Sequence, residues 1–259
     1  MSSPDTIATR IWHEEAEPDN PFATRSARCH GYDVYGEMLG RATWVEMLFL
    51  LFRGEAPTPA QSRLLEALAV ALANAGPRDA AVHAAMSAGV GGSPAAAMLM
   101  AALAVGAGQH GGAREVLLAM QAWADGGAEL AASPADDAVG VWPTVEHTPG
   151  FDPNARHAAT TVVQALERLA GLSTGAALPW LADQRPALEA ATGLGLAMTG
   201  VAAAAFIDLG FTPDQGEMLH LLLRLPGAAA HALEQRESGH KNFPFFSLEL
   251  VNDPQKEAA

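Results

Sequence analysis

Two runs of small and apolar residues limit what this chain can fold into more than any other feature. Pro94–Gly106 and Leu194–Ile207 consist mainly of alanine, glycine, leucine, valine and methionine, and neither run contains a charged residue. Both are shorter than the roughly 20 apolar residues that a membrane-spanning helix needs. We therefore predict that each run forms a helix buried on all sides within a large protein.

The composition favours a helical globular protein. With 259 residues, the chain can form one large domain or two moderate ones around a real core. Hydrophobic residues make up 49% of the chain and aromatic residues only 6%. Alanine and leucine favour helices, whereas sheets favour aromatic and β-branched residues. Because no stretch shows a sustained alternation of apolar and polar residues, we predict an all-α fold.

The charge and the cysteine content exclude several classes of protein. A formal net charge of −14 argues against nucleic-acid binding, which needs a basic face for phosphates. Cys29 is the only cysteine, so a disulfide framework within the chain is excluded and a reducing compartment is favoured. The first ten residues lack the apolar core of a secretory signal. We predict a cytoplasmic protein with no membrane or nucleic-acid partner.

Capping signals mark the beginning of several helices. Thr43 and Glu46 have the spacing of a capping box, and Gly54 follows the last apolar residue of that helix. Thr58-Pro59 and Thr212-Pro213 each combine a capping threonine with a proline in the first turn. The helix after Thr58 carries one apolar face, made of Leu64, Leu65, Leu68 and Leu72.

Prolines and glycines mark the predicted breaks. The helix that begins at Thr212 is expected to end at Leu223, and a further helix to begin at Pro226-Gly227. The segment before Gln184 is predicted to be a linker through Pro179, followed by a short helix. The polar, proline-interrupted residues up to Arg28 are predicted to form an extended arm.

The segment Gly108–Arg114 places a histidine between glycines at the junction of two predicted helices. Backbone on both sides of His110 can therefore approach a ligand closely, although an ordinary loop histidine fits the same pattern. Pro149–Pro153 is a second candidate ligand loop.

Several motifs along the chain recur in the order and spacing of one protein superfamily. They are Gly31-Tyr32-Asp33, Thr43–Gly54 with Glu55-Ala56-Pro57, His110-Gly111-Gly112-Ala113, Pro149-Gly150-Phe151, Asp208-Leu209-Gly210-Phe211, and Arg224-Leu225-Pro226-Gly227 with Ala230–Glu234. Together they resemble the citrate synthase superfamily, and more closely its short citryl-CoA lyase-type members.

The resemblance implies a domain organisation and a chemistry. It implies a homodimer in which a small helical domain, residues 112–211, is inserted into a large one, residues 1–111 and 212–259. A coenzyme A thioester would serve as substrate and meet a di- or tricarboxylate in the cleft, where a carbon–carbon bond next to the thioester is made or broken. No metal is expected, because no metal-ligand spacing occurs.

The resemblance also implies roles for individual residues. His110 falls on the histidine that stabilises the enolate, which makes it the candidate catalytic residue. Arg224 falls on an arginine that binds a substrate carboxylate. The CoA contacts are assigned to the two loops, at Gly111, Gly112, Pro149, Gly150 and Phe151.

Other functional positions of the superfamily are replaced. Ala75-Gly76 stands where a His-Gly pair is expected, and Asp152-Pro153 where Gly-His is expected. Thr199 falls on the position of the aspartate base, and a threonine hydroxyl cannot act as a base near neutral pH.

Nearby side chains are candidates to replace the missing groups: Asp152 for the carboxylate, and His147 or His157 for an imidazole. All three also fit the pattern of solvated loop residues. His231 is interpreted as a packing residue and His83 as a partly exposed one.

Two hypotheses for function remain open. The first is an enzyme that acts on an acyl-CoA through His110 with a relocated partner group. The second is a pseudoenzyme that serves as a binding or regulatory subunit, paired with a catalytic homologue. Retention of His110 and Arg224 favours the first hypothesis, and loss of the aspartate favours the second.

Overall fold

The computed structural model of the chain describes residues 8–124 and 148–242, and it is mostly helical. The predicted helical fold class is confirmed. The helices are α1 Trp44–Arg53, α2 Pro59–Leu72, α3 Ala80–Val90, α4 Ala95–Gly106, α5 Ala113–Ala124, α6 Thr160–Ala170, α7 Ala177–Thr192, α8 Met198–Asp208 and α9 Pro213–Ser238. Within these ranges, no helix has the length and apolar character needed to cross a bilayer.

The N-terminal segment forms a β-hairpin, so the prediction of an extended arm was wrong. Strands β1 (Trp12–Glu17) and β2 (Asn20–Cys29) pair antiparallel, and β2 also pairs with the short β3 (Tyr32–Asp33). Most hairpin residues are exposed; Ala27 and Cys29 are buried. Because the hairpin has no continuous buried face, its sequence lacks the apolar–polar alternation that signals a strand.

The predicted helix beginnings at Thr43, Thr58 and Thr212 are confirmed. Each threonine accepts a hydrogen bond from the backbone N–H three residues later, in a complete capping box. Gly54 ends α1 in the left-handed conformation, with φ of 76°.

Two predicted breaks are wrong, because prolines lie inside continuous helices. Helix α9 runs through Pro226, and the N–H of Gly227, the next residue, donates to the carbonyl of Ala73. Helix α7 begins at Ala177, inside the segment predicted to be a linker through Pro179, and continues through Pro186. Pro226 itself has no N–H to donate, and an acceptor outside the helix contacts the residue that follows it.

The main core surrounds α8. Every residue from Thr199 to Phe206 is buried, which confirms a buried helix for most of the second apolar run, although its first residues, 194–197, lie outside the helix. The first apolar run, now α4, is not buried on all sides within the chain, because Met100 is 60% and Val105 45% exposed. A smaller cluster joins α3, α4 and α9. The division into two domains stays a prediction.

Candidate functional site

The turn that carries His110 depends on its glycines. Gly111 adopts φ of 69°, which favours glycine, and a Cβ on Gly112 would lie 2.3 Å from the carbonyl oxygen of Gly108. His110 is exposed between α4 and α5, and the Gln109 amide nitrogen lies 3.3 Å from its Nε2. The backbone therefore holds His110 on a tight turn at the protein surface.

Glu115, in the first turn of α5, joins three separate segments of the predicted site. The residue is only 1% exposed. Its carboxylate accepts hydrogen bonds from the N–H of Gly111, from the N–H of Gly150 at 2.9 Å and from the hydroxyl of Thr199 at 2.9 Å. Both candidate ligand loops and the position expected to hold the base are thus connected through one buried side chain.

The second loop is packed tightly against the start of α8. Gly150 adopts φ of 88°, and its carbonyl accepts a hydrogen bond from the N–H of Ala197. A Cβ on Gly200 would lie 2.5 Å from the same carbonyl oxygen. Phe151 begins the short strand β4 (Phe151–Asp152), which pairs with β5 (Gly195–Leu196), and its ring is fully buried. Phe151 packs in the core, whereas Pro149 is half-buried at the edge of the loop.

Arg224, in α9, also contacts the turn that carries His110. Its guanidinium donates to the carbonyl of Gly111 at 3.2 Å and forms an ion pair with Asp79. The side chain of Arg224 is 15% exposed and that of Asp79 is 21% exposed. The predicted catalytic and carboxylate-binding residues are therefore brought together, but a protein carboxylate already contacts the arginine.

His220, one turn before Arg224 in α9, is buried and neutral. Burial, together with the positive charge of Arg224, lowers its pKa to about 3. Because a guanidinium can only donate, Nε2 of His220 is the accepting atom in its 3.4 Å contact with Arg224. Within the part of the chain that the structure describes, Nδ1 of His220 is buried without a hydrogen-bond partner.

Neither Thr199 nor Ala75, which stand at two of the replaced positions, has a side chain that can act as a base near neutral pH. Thr199 is buried and donates to Glu115, and Ala75 is exposed after α2. Asp152 accepts the N–H of Asn154 in a local turn, and His157 is exposed. His147 lies outside the described residues.

His83 and His231, two histidines that the sequence placed on helices, do lie within helices α3 and α9. His231 is half-buried, with Nε2 3.2 Å from the side-chain oxygen of Asn74, which fits the packing role predicted for it. His83 is half-buried on α3. Among residues 8–124 and 148–242, no group of three or more His, Cys, Asp or Glu side chains is placed to hold a metal ion.

Glu115 and Asp79 were not predicted from the sequence as residues of the site. Both follow predicted features directly, since Glu115 lies in the first turn after His-Gly-Gly-Ala and Asp79 caps the start of α3. Their site partners, Gly150, Thr199 and Arg224, lie far away in the sequence. No local pattern signals such contacts.

Comparison with known proteins identifies the fold. No protein-family profile and no curated protein matches the sequence. Among solved structures, citryl-CoA lyase from Hydrogenobacter thermophilus matches 98% of this chain and 99% of its own, with a TM-score of 0.62 and 18% identity. The chain has the citryl-CoA lyase fold. The resemblance to the citrate synthase superfamily is thereby confirmed at the level of the fold.

Two ATP citrate lyases contain the same fold as part of longer chains. The enzyme from Methanosaeta concilii, solved with (3S)-citryl-CoA, matches 99% of this chain with a TM-score of 0.70 and 16% identity. The enzyme from Methanothrix soehngenii, solved with citrate and coenzyme A, matches 97% with a TM-score of 0.69 and 18% identity. This chain spans 44% and 43% of their lengths.

Proposed function

We propose that this protein binds a CoA thioester together with a carboxylate ligand where the His110 turn, the Pro149–Phe151 loop and Arg224 meet. The observation that carries the proposal is the set of hydrogen bonds around Glu115. One buried carboxylate fixes two glycine loops with positive φ, and such loops allow a ligand to approach the backbone closely.

The ligands of the structural neighbours support the class of ligand. Those proteins were solved with citryl-CoA, or with citrate and coenzyme A. A di- or tricarboxylate is the acid that the resemblance implies.

Binding without turnover is the function that the geometry favours. A base must have an oxygen free to accept the proton that it removes. Glu115, the carboxylate nearest Thr199, instead uses its oxygens to hold two backbone N–H groups and the Thr199 hydroxyl. The protein would then act as a binding or regulatory subunit.

The second candidate is an enzyme that makes or breaks a carbon–carbon bond next to the thioester. It is favoured by the exposure of His110 on a rigid turn, where an imidazole can donate a hydrogen bond to a developing enolate oxygen. The proton would then be taken by a group of the ligand or by a carboxylate such as Asp152.

The proposal is tested by titrating acetyl-CoA and CoA calorimetrically into the wild type and His110→Ala. We expect His110→Ala to weaken the binding of acetyl-CoA about tenfold and to have little effect on the binding of CoA. Only the thioester has a carbonyl oxygen that His110 can contact. His13→Ala, which removes an exposed histidine of the hairpin, is the matched control. Absence of acetyl-CoA binding to the wild type would refute the proposal.

An assay of citryl-CoA cleavage on the same samples distinguishes an enzyme from a binding subunit.

We also propose that the chain is a cytoplasmic homodimer. Helices α4 and α9 pack together, and both expose apolar side chains: Met100 and Val105 on α4, and Met218 and Leu222 on α9. A second copy covering them would remove apolar area from water. Pairing with a catalytic homologue is the alternative that fits the subunit role.

A further inference from the structure

Both arginines beside the His110 turn are paired with carboxylates of the protein. Arg224 contacts Asp79, and Arg114 lies 3.3 Å from Glu217. Arginine binds ligand carboxylates by charge-assisted hydrogen bonds, so any acidic ligand here meets donors that already have an anionic partner. The pairs therefore bear directly on which acids the site can take.

Two backbone hydrogen bonds hold Asp79 in position to pair with Arg224. It is the N-cap of α3, and its Oδ1 accepts the N–H groups of Ala81 and Val82 at 3.0 and 3.1 Å. Its other oxygen is thereby directed to Arg224. A ligand carboxylate must compete with a partner that is preorganised and always present, which raises the cost of displacing it.

The formal charges at this place sum to a negative value. The side chains joined to the turn by these contacts are two arginines, Arg114 and Arg224, and three carboxylates, Asp79, Glu115 and Glu217, giving a sum of −1. Each carboxylate on a ligand adds repulsion, which is strong where the groups are partly buried.

We infer that the acyl group accepted by this site carries at most one free carboxylate, and that Asp79 is the residue that sets this limit. The inference rests on the proposed binding of a CoA thioester. The preferred ligands are then acyl-CoAs with at most one free carboxylate, and acyl-CoAs made from a tricarboxylate, such as citryl-CoA, bind more weakly.

The test compares three thioesters that share CoA and differ in free carboxylates. Butyryl-CoA has none on its acyl group, glutaryl-CoA has one and (3S)-citryl-CoA has two. We expect the wild type to bind the first two at least about tenfold more tightly than citryl-CoA. Asp79→Asn should reduce this gap, the ratio between the affinities for the first two thioesters and for citryl-CoA, about tenfold. Asparagine is an equally good N-cap but carries no charge.

Asp33→Asn is the matched control, because Asp33 is also half-buried and, as the N-cap of the short helical turn Val34–Met38, also accepts a backbone N–H, but it belongs to the hairpin sheet. It should leave the gap unchanged. Glu217→Gln removes the same charge beside Arg114 and provides a second variant if Asp79→Asn unfolds. Equal or tighter binding of citryl-CoA by the wild type, or an unchanged gap in both Asp79→Asn and Glu217→Gln, would overturn the inference. Failure of all three thioesters to bind would refute the proposed function itself.

Discussion

Glu115 is the residue on which the candidate site depends most. The Glu115 carboxylate accepts hydrogen bonds from two N–H groups and one hydroxyl. In Glu115→Gln, the NH₂ of the new amide would face one of these donors and could not accept its hydrogen bond. We expect a loss of about 2 kcal/mol in the free energy of unfolding, together with at least about tenfold weaker acetyl-CoA binding. Urea unfolding and calorimetry measure the two effects.

Glu189 offers a matched control within the same chain. It is 7% exposed and accepts the N–H groups of Ala158 and Leu196, together with a guanidinium N–H of Arg185. Glu189→Gln should lower stability to a similar degree and leave acetyl-CoA binding intact. If both variants lose binding equally, Glu115 has only a general structural role.

His220 predicts a pH dependence of stability. Its pKa is about 3 in the folded protein, against 6.5 for an unperturbed histidine. Between these values the unfolded chain holds a proton that the folded chain does not, so stability is complete above pH 6.5 and falls as the pH is lowered. The slope reaches about 1.4 kcal/mol per pH unit for this one group.

His220→Leu should remove this contribution and flatten the profile of unfolding free energy between pH 6.5 and pH 4. Urea titrations of both proteins at several pH values provide the comparison. Parallel profiles for the wild type and the variant would contradict the assignment.

Among these residues, the members of local motifs could be predicted from the sequence, and the carboxylates that hold them in place could not. His110, Gly111 and Gly112 stand in a recognisable local motif, and Arg224 in another. Glu115 and Asp79 act through contacts with distant segments, which only the folded chain brings together.

At the scale of elements, helix beginnings were predictable and helix continuity was not. The capping boxes are local signals that their own first turns complete, and all three are present. The continuation of α9 through Pro226 depends on Ala73, which lies in another part of the chain. The hairpin was missed because its pairing buries little and so leaves no apolar pattern.

The packing of α3 on α9 predicts the effect of a single methyl group. A Cβ on Gly89 would lie 2.2 Å from the carbonyl oxygen of Ala232, so the two helices would have to separate. We expect Gly89→Ala to lower the free energy of unfolding by about 2 kcal/mol. In Gly91→Ala the nearest contact would be 3.6 Å, so this control should be close to neutral. Equal effects of the two variants on the urea midpoint would contradict this view of the interface.

At the scale of the whole molecule, the exposed face of α4 predicts self-association. Met100→Glu would place a charge in the proposed dimer interface and should convert a dimer into a monomer in sedimentation experiments. Val70→Glu is the control, because Val70 is 71% exposed on α2, outside that face. A wild type that sediments as a monomer, or a dimer unchanged by Met100→Glu, would argue against this interface.

We propose above all that a CoA thioester binds where Glu115 joins the two loops beside Arg224. Hydrogen–deuterium exchange with and without acetyl-CoA tests it most directly, because it locates the bound region without any substitution. We expect slower exchange in peptides covering residues 108–117 and 148–156, and unchanged exchange in the hairpin at 12–29. Protection confined to the hairpin, or no protection at saturating acetyl-CoA, would contradict binding at this site.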